Sequence, residues 1–259
     1  MDKKDPIVVF DSGMGGVSVL REMTVQMPNE DFIYYGDSKN APYGTKSIKK
    51  VQELTLGHIA DFVENYHAKG LAIACNTATS AAVKLLRKKY PEIPLVGVEP
   101  AIKPAVYATE DPKVLVMATP ITINGAKFHK LVAKLDDNAT VYPLACPGLM
   151  DFVEKGILDG PELRGFLHKL MDPYLEKSIT GIVLGCTHYP FLRKPISEIA
   201  GPEVEIFDGG EGTARELRRR IHVADLDNSS DHKGSVTFMN SSDDPSKLEL
   251  SKKLYAAKL

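Results

Sequence analysis

Short apolar runs alternate with longer amphipathic stretches along most of this chain. Ile7-Val8-Val9-Phe10 is the first run, and it gives way to a polar, glycine-rich exit from Asp11 to Gly16. Phe32-Ile33-Tyr34-Tyr35 repeats the pattern and ends at Gly36-Asp37; Leu71-Ala72-Ile73-Ala74 repeats it again. Runs this short, bounded by turn residues, predict buried strands. Between them, residues 46–66 carry Ile48, Val51, Leu54, Ile59, Phe62, Val63 and Tyr66, mostly three or four apart. That spacing predicts a helix with one apolar face. A second helix is predicted from Ala78 to Tyr90. Strands alternating with helices predict an α/β fold with largely parallel strands.

After Pro91, Pro94 and Pro100 a second series begins. Lys113 to Thr119 resembles Ile7 to Ser12: a buried strand, then a loop opening with a hydroxyl. Gly181-Ile182-Val183-Leu184 leads to Cys186 much as Leu71 to Ala74 leads to Cys75. Ser12 and Thr119 are 107 positions apart, Cys75 and Cys186 111. Near-equal offsets predict two similar halves. The remainder has no partner in the repeat: Val204 to Asp208, the glycine-rich Gly209 to Thr213, a helix to about Ile221, a strand at Ser235 to Met239 and a helix at 245–257. Most of it is expected to return to the first half. The expected domains are therefore 1–98 plus 208–259, and 99–207.

Composition narrows the class. Lys and Arg total 32 against 34 for Asp and Glu, so the chain lacks the basic footprint of a nucleic-acid binder. The one dense basic stretch, Arg215 to Arg220, contains Glu216 and Leu217 and reads as a solvated helix face. The four apolar residues before Asp11 are too few for a signal-peptide core. No apolar run approaches the ~18 residues of a membrane span. No membrane association and a cytoplasmic location are expected. Three cysteines are not a secreted disulfide framework, and no ligand spacing predicts a metal site.

Ligands in open parallel sheets bind beyond the carboxyl ends of strands. The motifs there are Ser12-Gly13, Asn76-Thr77, Thr119 to Thr122 and Thr187-His188. Free helix-terminal amides at such places, with no lysine or arginine among them, suit a small substrate bearing carboxylates. Asp11-Ser12-Gly13-Met14-Gly15-Gly16 is not a dinucleotide fingerprint, because Ser18 stands where the third glycine belongs, and no P-loop lysine is present after it. Taken singly, Cys75 or Cys186 reads equally well as a small buried hydrophobe. Together, at matched strand ends, they suit a reaction that takes a proton from one face of a carbon and returns it to the other. A free thiol is only a few per cent ionised at neutral pH, and a nearby base or helix N-terminus raises that share. His188, two residues past Cys186, is such a base. Asp11 reads either as a helix cap or as a reactive strand-end carboxylate. Glu154 reads equally as a surface helix residue, and Cys146 reads as structural. A two-lobed binding protein closing on an acidic amino acid would not need two matched thiols.

Four blocks, in order and spacing, resemble the glutamate racemases of the cofactor-independent aspartate/glutamate racemase family. They are Phe10-Asp11-Ser12-Gly13 with Gly15-Gly16; Gly36-Asp37 with Pro42-Tyr43-Gly44; Cys75-Asn76-Thr77-Ala78; and Gly185-Cys186-Thr187-His188-Tyr189-Pro190. The resemblance runs from residue 7 to about 216. It implies two similar parallel-sheet α/β domains in a pseudo-symmetric arrangement, with the active site in the cleft between them, and no cofactor. It implies that Cys75 and Cys186 are the two acid/base thiols, one taking the α-proton from D-glutamate and the other from L-glutamate. Asp11 then assists the first, and Glu154 and His188 the second. It implies substrate-binding roles for Ser12, Tyr43, Gly44, Asn76, Thr77, Thr119, Thr122 and Thr187, and a secondary role for Asp37. The expected role is supply of D-glutamate to peptidoglycan precursors by a homodimer. Aspartate racemisation by the same two-thiol logic is the alternative.

Overall fold

In the computed structural model, residues 1–135, 138–229 and 231–257 are described. Ser230 and the last two positions of the expected first domain, 258–259, lie outside them. The chain divides into two compact units, Met1–Val98 with Gly210–Ala257, and Glu99–Gly209.

Nine strands form among the described residues: β1 Ile7–Asp11, β2 Phe32–Gly36, β3 Gly70–Ile73, β4 Leu95–Gly97, β5 Lys113–Ala118, β6 Thr140–Ala145, β7 Gly181–Leu184, β8 Glu205–Asp208 and β9 Val236–Asn240. The first unit holds one sheet in the order β4-β3-β1-β2-β9, the second one in the order β6-β5-β7-β8. Every pairing is parallel. In each unit the first strand lies between the second and third, and the fourth lies outside the third. The two halves thus share one strand topology. β9 is the addition, laid along the free edge of β2.

The first three α-helices of the chain are α1 Val17–Gln26, α2 Ile48–Tyr66 and α3 Asn76–Lys89. Val8, Phe10, Leu71 and Ile73 share a core with Val51, Ile59 and Phe62 of α2 and Ala78, Ala82 and Leu86 of α3. Alternate strand residues face that layer, as the two-residue period requires. The predicted apolar face of α2 is buried only in its middle: Ile48 and Tyr66 are exposed. Length explains this. A helix of 19 residues runs about 28 Å, against about 17 Å for a five-residue strand, so its ends overhang the sheet.

Two strands were not legible in the sequence. β4 has only three residues and directly follows Pro94. β6 contains Pro143, which is tolerated because β6 is an edge strand pairing only with β5. Helix α3 also begins earlier than its apolar spacing predicts, at Asn76, because Cys75 itself serves as its N-cap.

A buried ion pair ties distant segments of the first unit together. The Lys69 ammonium, fully buried, lies 2.5 Å from the Glu30 carboxylate and also donates to the Lys3 carbonyl. Glu30 accepts a further bond from the Asn228 backbone N–H at 2.9 Å. Removing one partner leaves the other charge uncompensated in the interior. Lys69→Met is therefore expected to destabilise the protein by about 3–5 kcal/mol, and Lys69→Met with Glu30→Leu to recover much of that loss. Urea unfolding measures both; a single variant within about 1 kcal/mol of the parent would refute the expectation.

Candidate active site

The first cluster forms where β1 and β3 end. Cys75 follows β3 with extended backbone angles and caps α3: its Sγ accepts from the Ala78 N–H at 3.4 Å. The first-turn amides of a helix have no intrahelical acceptors, and the helix dipole adds partial positive charge there. A sulfur in this position gains stabilisation when it is anionic. Ser12 Oγ lies 3.3 Å from Cys75 Sγ and 3.2 Å from Asp11 Oδ1. Asp11 Oδ1 also accepts the Ser12 N–H at 2.6 Å, and Oδ2 accepts the Gly16 N–H. Gly16 is the residue that opens α1. Asp11 therefore satisfies both sequence readings: it braces the start of a helix, and it is linked through Ser12 to the thiol. Gly16 has to be glycine, since a Cβ there would sit 2.6 Å from Asp11 Cβ.

Asn76 and Thr77 are buried in the first turn of α3. Asn76 Oδ1 is buried with no hydrogen-bond partner among the described residues, so an acceptor stands open one residue from the thiol. Tyr43 and Gly44 lie in the short turn Tyr43–Thr45, both buried. The Tyr43 hydroxyl donates to Asp37 Oδ2 at 2.6 Å. It is thereby committed to a carboxylate to which the family resemblance gives only a secondary role.

The second cluster forms beyond β7. His188 Nδ1 lies 3.6 Å from Cys186 Sγ, and His188 Nε2 lies 2.8 Å from Glu154 Oε1. Glu154 ends the short helix Leu149–Glu154. Its side chain is thus part of a thiol–imidazole–carboxylate relay, although nothing in its local sequence distinguishes it from a surface residue. His188 is almost wholly buried. Burial alone would lower its pKa, but the hydrogen bonds to Cys186 and Glu154 outweigh that effect and hold it well above the usual imidazole value. Thr187 is buried beside it. Thr119 caps the helix Pro120–Asn124, with its Oγ1 3.0 Å from Thr122 Oγ1 and 3.4 Å from the Thr122 N–H.

Cys146 behaves differently. Its thiol donates to the Leu144 carbonyl at 3.4 Å, and burial first, then the charge of Cys186, pushes its pKa up to about 12. It stays a neutral thiol, which fits a structural part. Sequence reasoning passes over Tyr189, whose hydroxyl donates to the Cys146 carbonyl at 3.2 Å. Only its place directly after His188 could have signalled it. Among the described residues, no group of three or more His, Cys, Asp or Glu is placed to hold a metal ion, and no helix is long and apolar enough to cross a membrane.

Two α/β units of one topology each place a buried cysteine with its own polar partners just beyond the third strand. Residues 8–217 match the model of the Asp/Glu/hydantoin racemase family. The chain is 48% identical over 256 residues to the glutamate racemase of Clostridium perfringens, covering 99% of this chain and 98% of that protein. Its fold matches glutamate racemase isoform RacE1 of Bacillus anthracis with a TM-score of 0.88 at 29% identity, covering 99% and 96% of the two chains. It matches the Francisella tularensis glutamate racemase, solved in complex with D-glutamate, with a TM-score of 0.85 at 28% identity and the same coverage. The chain belongs to the Asp/Glu/hydantoin racemase family and is a racemase, an isomerase of amino acids.

The raised His188 pKa has a sign that can be checked. A group titrating higher in the folded state contributes stability that is fully present below its unfolded value, about 6.5, and is lost as pH rises through the folded value. Replacing Glu154 by Gln keeps an oxygen that can accept from His188 but removes the negative charge that helps hold the proton. The His188 ring resonances are then expected to titrate at lower pH than in the parent; an unchanged NMR titration would show that the carboxylate does not hold it.

Proposed function

We propose that this chain interconverts L-glutamate and D-glutamate without a cofactor, using Cys75 and Cys186 as two acid–base thiols. The carrying observation is that each thiol has a separate set of partners: Ser12 and Asp11 for Cys75, His188 and Glu154 for Cys186. A single-base enzyme has no use for two such sets. Glutamate is favoured over aspartate because the full-length relatives at 48% identity are glutamate racemases.

In this reading the two thiols act on opposite faces of the substrate α-carbon. With D-glutamate bound, the Cys75 thiolate takes the α-proton and the Cys186 thiol delivers its own proton to the opposite face. Cys75 then holds a proton and Cys186 a negative charge, so the L-enantiomer meets the reverse arrangement. His188, kept protonated by Glu154, stabilises that charge on Cys186 through its Nδ1. Ser12, fixed by its N–H and hydroxyl bonds to Asp11, orients Cys75 through its Oγ, which accepts from the thiol once Cys75 is protonated. The carbanion between the two transfers has no conjugated sink. Its stabilisation falls to the substrate ammonium, to amide dipoles at the strand ends and to exclusion of water.

Asn76 Oδ1 is suited to accept from the substrate ammonium. Thr77, Thr187, Thr119, Thr122, Ser12 and the Tyr43-Gly44 turn are assigned to the two carboxylates. The product D-glutamate would serve peptidoglycan precursor synthesis, and the working form is taken to be a cytoplasmic homodimer.

The test is incubation of the pure protein with D-glutamate in D2O without added cofactor. L-glutamate carrying deuterium at the α-carbon is expected. Cys75→Ser and Cys186→Ser should each lower turnover in both directions by about 10²–10⁴-fold, the range for removing a positioned acid–base group. Undiminished racemisation in both variants would sink the mechanism, and faster turnover of aspartate than of glutamate would favour the alternative substrate.

A further inference from the structure

The strongest cluster outside the thiol partners surrounds Asp37. This side chain is fully buried. It receives the Tyr43 hydroxyl at 2.6 Å and the Asn40 amide at 3.0 Å, and His58 Nε2 lies 3.1 Å from its Oδ2. Burial alone would push its carboxyl up, but bonds from His58, Ser241, Tyr43 and Asn40 outweigh it and hold it well below the usual carboxylate range. Asp37 is thus a permanent buried anion.

Three strand ends converge on it. In the sheet register Gly36 stands beside Asp11 on one side and Asn240 on the other. The Asp37 N–H donates to the Asp11 carbonyl at 2.9 Å, and the Ser241 N–H donates to the Gly36 carbonyl at 3.0 Å. Ser241 Oγ also accepts the Lys39 N–H at 3.0 Å, and the Asn240 amide donates to Ser38 Oγ at 2.9 Å. The extra strand β9 therefore clasps the segment that leads to Tyr43. His58 closes the other side from α2, its ring 4.9 Å from that of Tyr35 and 5.8 Å from that of Phe10. The Tyr43–Thr45 turn packs against α3, the helix that Cys75 caps, and Tyr43 shares the core cluster with Cys75.

We propose that His58 and Ser241 are positioning residues of the Cys75 half of the site: His58 holds the Asp37 carboxylate, Ser241 clasps the 36–39 segment that carries it, and Asp37 holds Tyr43 and its turn against Cys75. Neither side chain needs to touch substrate. The C-terminal strand, which has no counterpart in the second unit, thereby gains a part in the reaction. This role rests on the reading that Cys75 is a reacting thiol flanked by a binding turn.

The experiment reads the thiol directly. The full chain and its variants are treated with iodoacetamide, and alkylation of each cysteine is followed by peptide mass spectrometry. Cys75 is buried in the parent, so its rate reports how well the turn covers it. In His58→Leu and Ser241→Ala, Cys75 alkylation should rise about tenfold while Cys186 and Cys146 stay within about twofold, since each variant loses a hydrogen bond that holds Asp37 or the segment carrying it. In His58→Gln, which restores a donor to Asp37, the Cys75 rate should return to that of the parent. KM for D-glutamate should rise in the first two variants more than kcat falls. An unchanged Cys75 rate in both variants, or equal acceleration of all three cysteines, would overturn the proposal, the latter by showing only general loosening. Racemisation by the parent protein is measured separately. Its absence would count against the functional reading, while the alkylation rates still decide the positioning role.

Discussion

The arrangement depends on where parallel strands end. Phe10 and Ile73 are register partners in β1 and β3, and the Ala74 N–H extends the ladder to the Phe10 carbonyl at 2.8 Å. Ser12 and Cys75 each lie two residues beyond that pair, which is how a serine and a cysteine 63 positions apart come within 3.3 Å. The second unit repeats the construction. Met117 and Leu184 are partners, the Gly185 N–H reaches the Met117 carbonyl at 2.7 Å, and Thr119 and Cys186 each lie two residues beyond. Slipping either register by one residue would turn these side chains to the opposite face of the sheet. The apolar runs that fix the register, buried in β1, β3 and β7 and through all but the first residue of β5, are therefore also what bring these polar side chains together.

Within this common frame the two halves diverge. Thr119 occupies the place of Ser12, yet its hydroxyl is engaged by Thr122 and by the cap of a short helix. Cys186 instead has His188 within reach, drawn from its own loop and backed by a carboxylate from another element. One thiol is served by a hydroxyl and a carboxylate, the other by a protonated imidazole. A site that meets two mirror-image substrates has no reason to be symmetric in its helpers, because the remaining groups of the substrate cannot be superposed when the α-hydrogen changes face.

The strands before Ser12, Cys75 and Cys186 were legible because they are short, apolar and bounded by turns. The cysteines were legible because they recur at matched ends. The start of α3 is misplaced by two residues in the sequence pattern because its cap is a thiol, which is not among the side chains that ordinarily announce a helix. Glu154 entered only through the family resemblance and was invisible to local pattern, for a different reason. It ends a helix of only six residues, and its significance lies in a contact 34 positions away in sequence. The Asp37 network was hidden in the same way, since Asp37, His58 and Ser241 come from three elements that meet only once β9 has joined the sheet. Local pattern reports what each segment must become. It does not report which polar groups the assembled sheet will bring together.

The His188 relay shows how such a group is kept in place. A buried imidazolium is costly unless its partners are fixed, so Glu154 must arrive at a set distance. Its helix begins after Gly148, whose φ of 85° is a conformation that side-chain-bearing residues rarely adopt. The loop before Gly148 is held by Tyr189, which donates to the Cys146 carbonyl. Tyr189 in turn is the next residue after His188. The residue beside the histidine thus anchors the loop that launches the helix that supplies the histidine's carboxylate. This closed circuit explains why a helix of six residues suffices to position Glu154, and why Cys146 is important for its backbone carbonyl while its thiol stays neutral and buried.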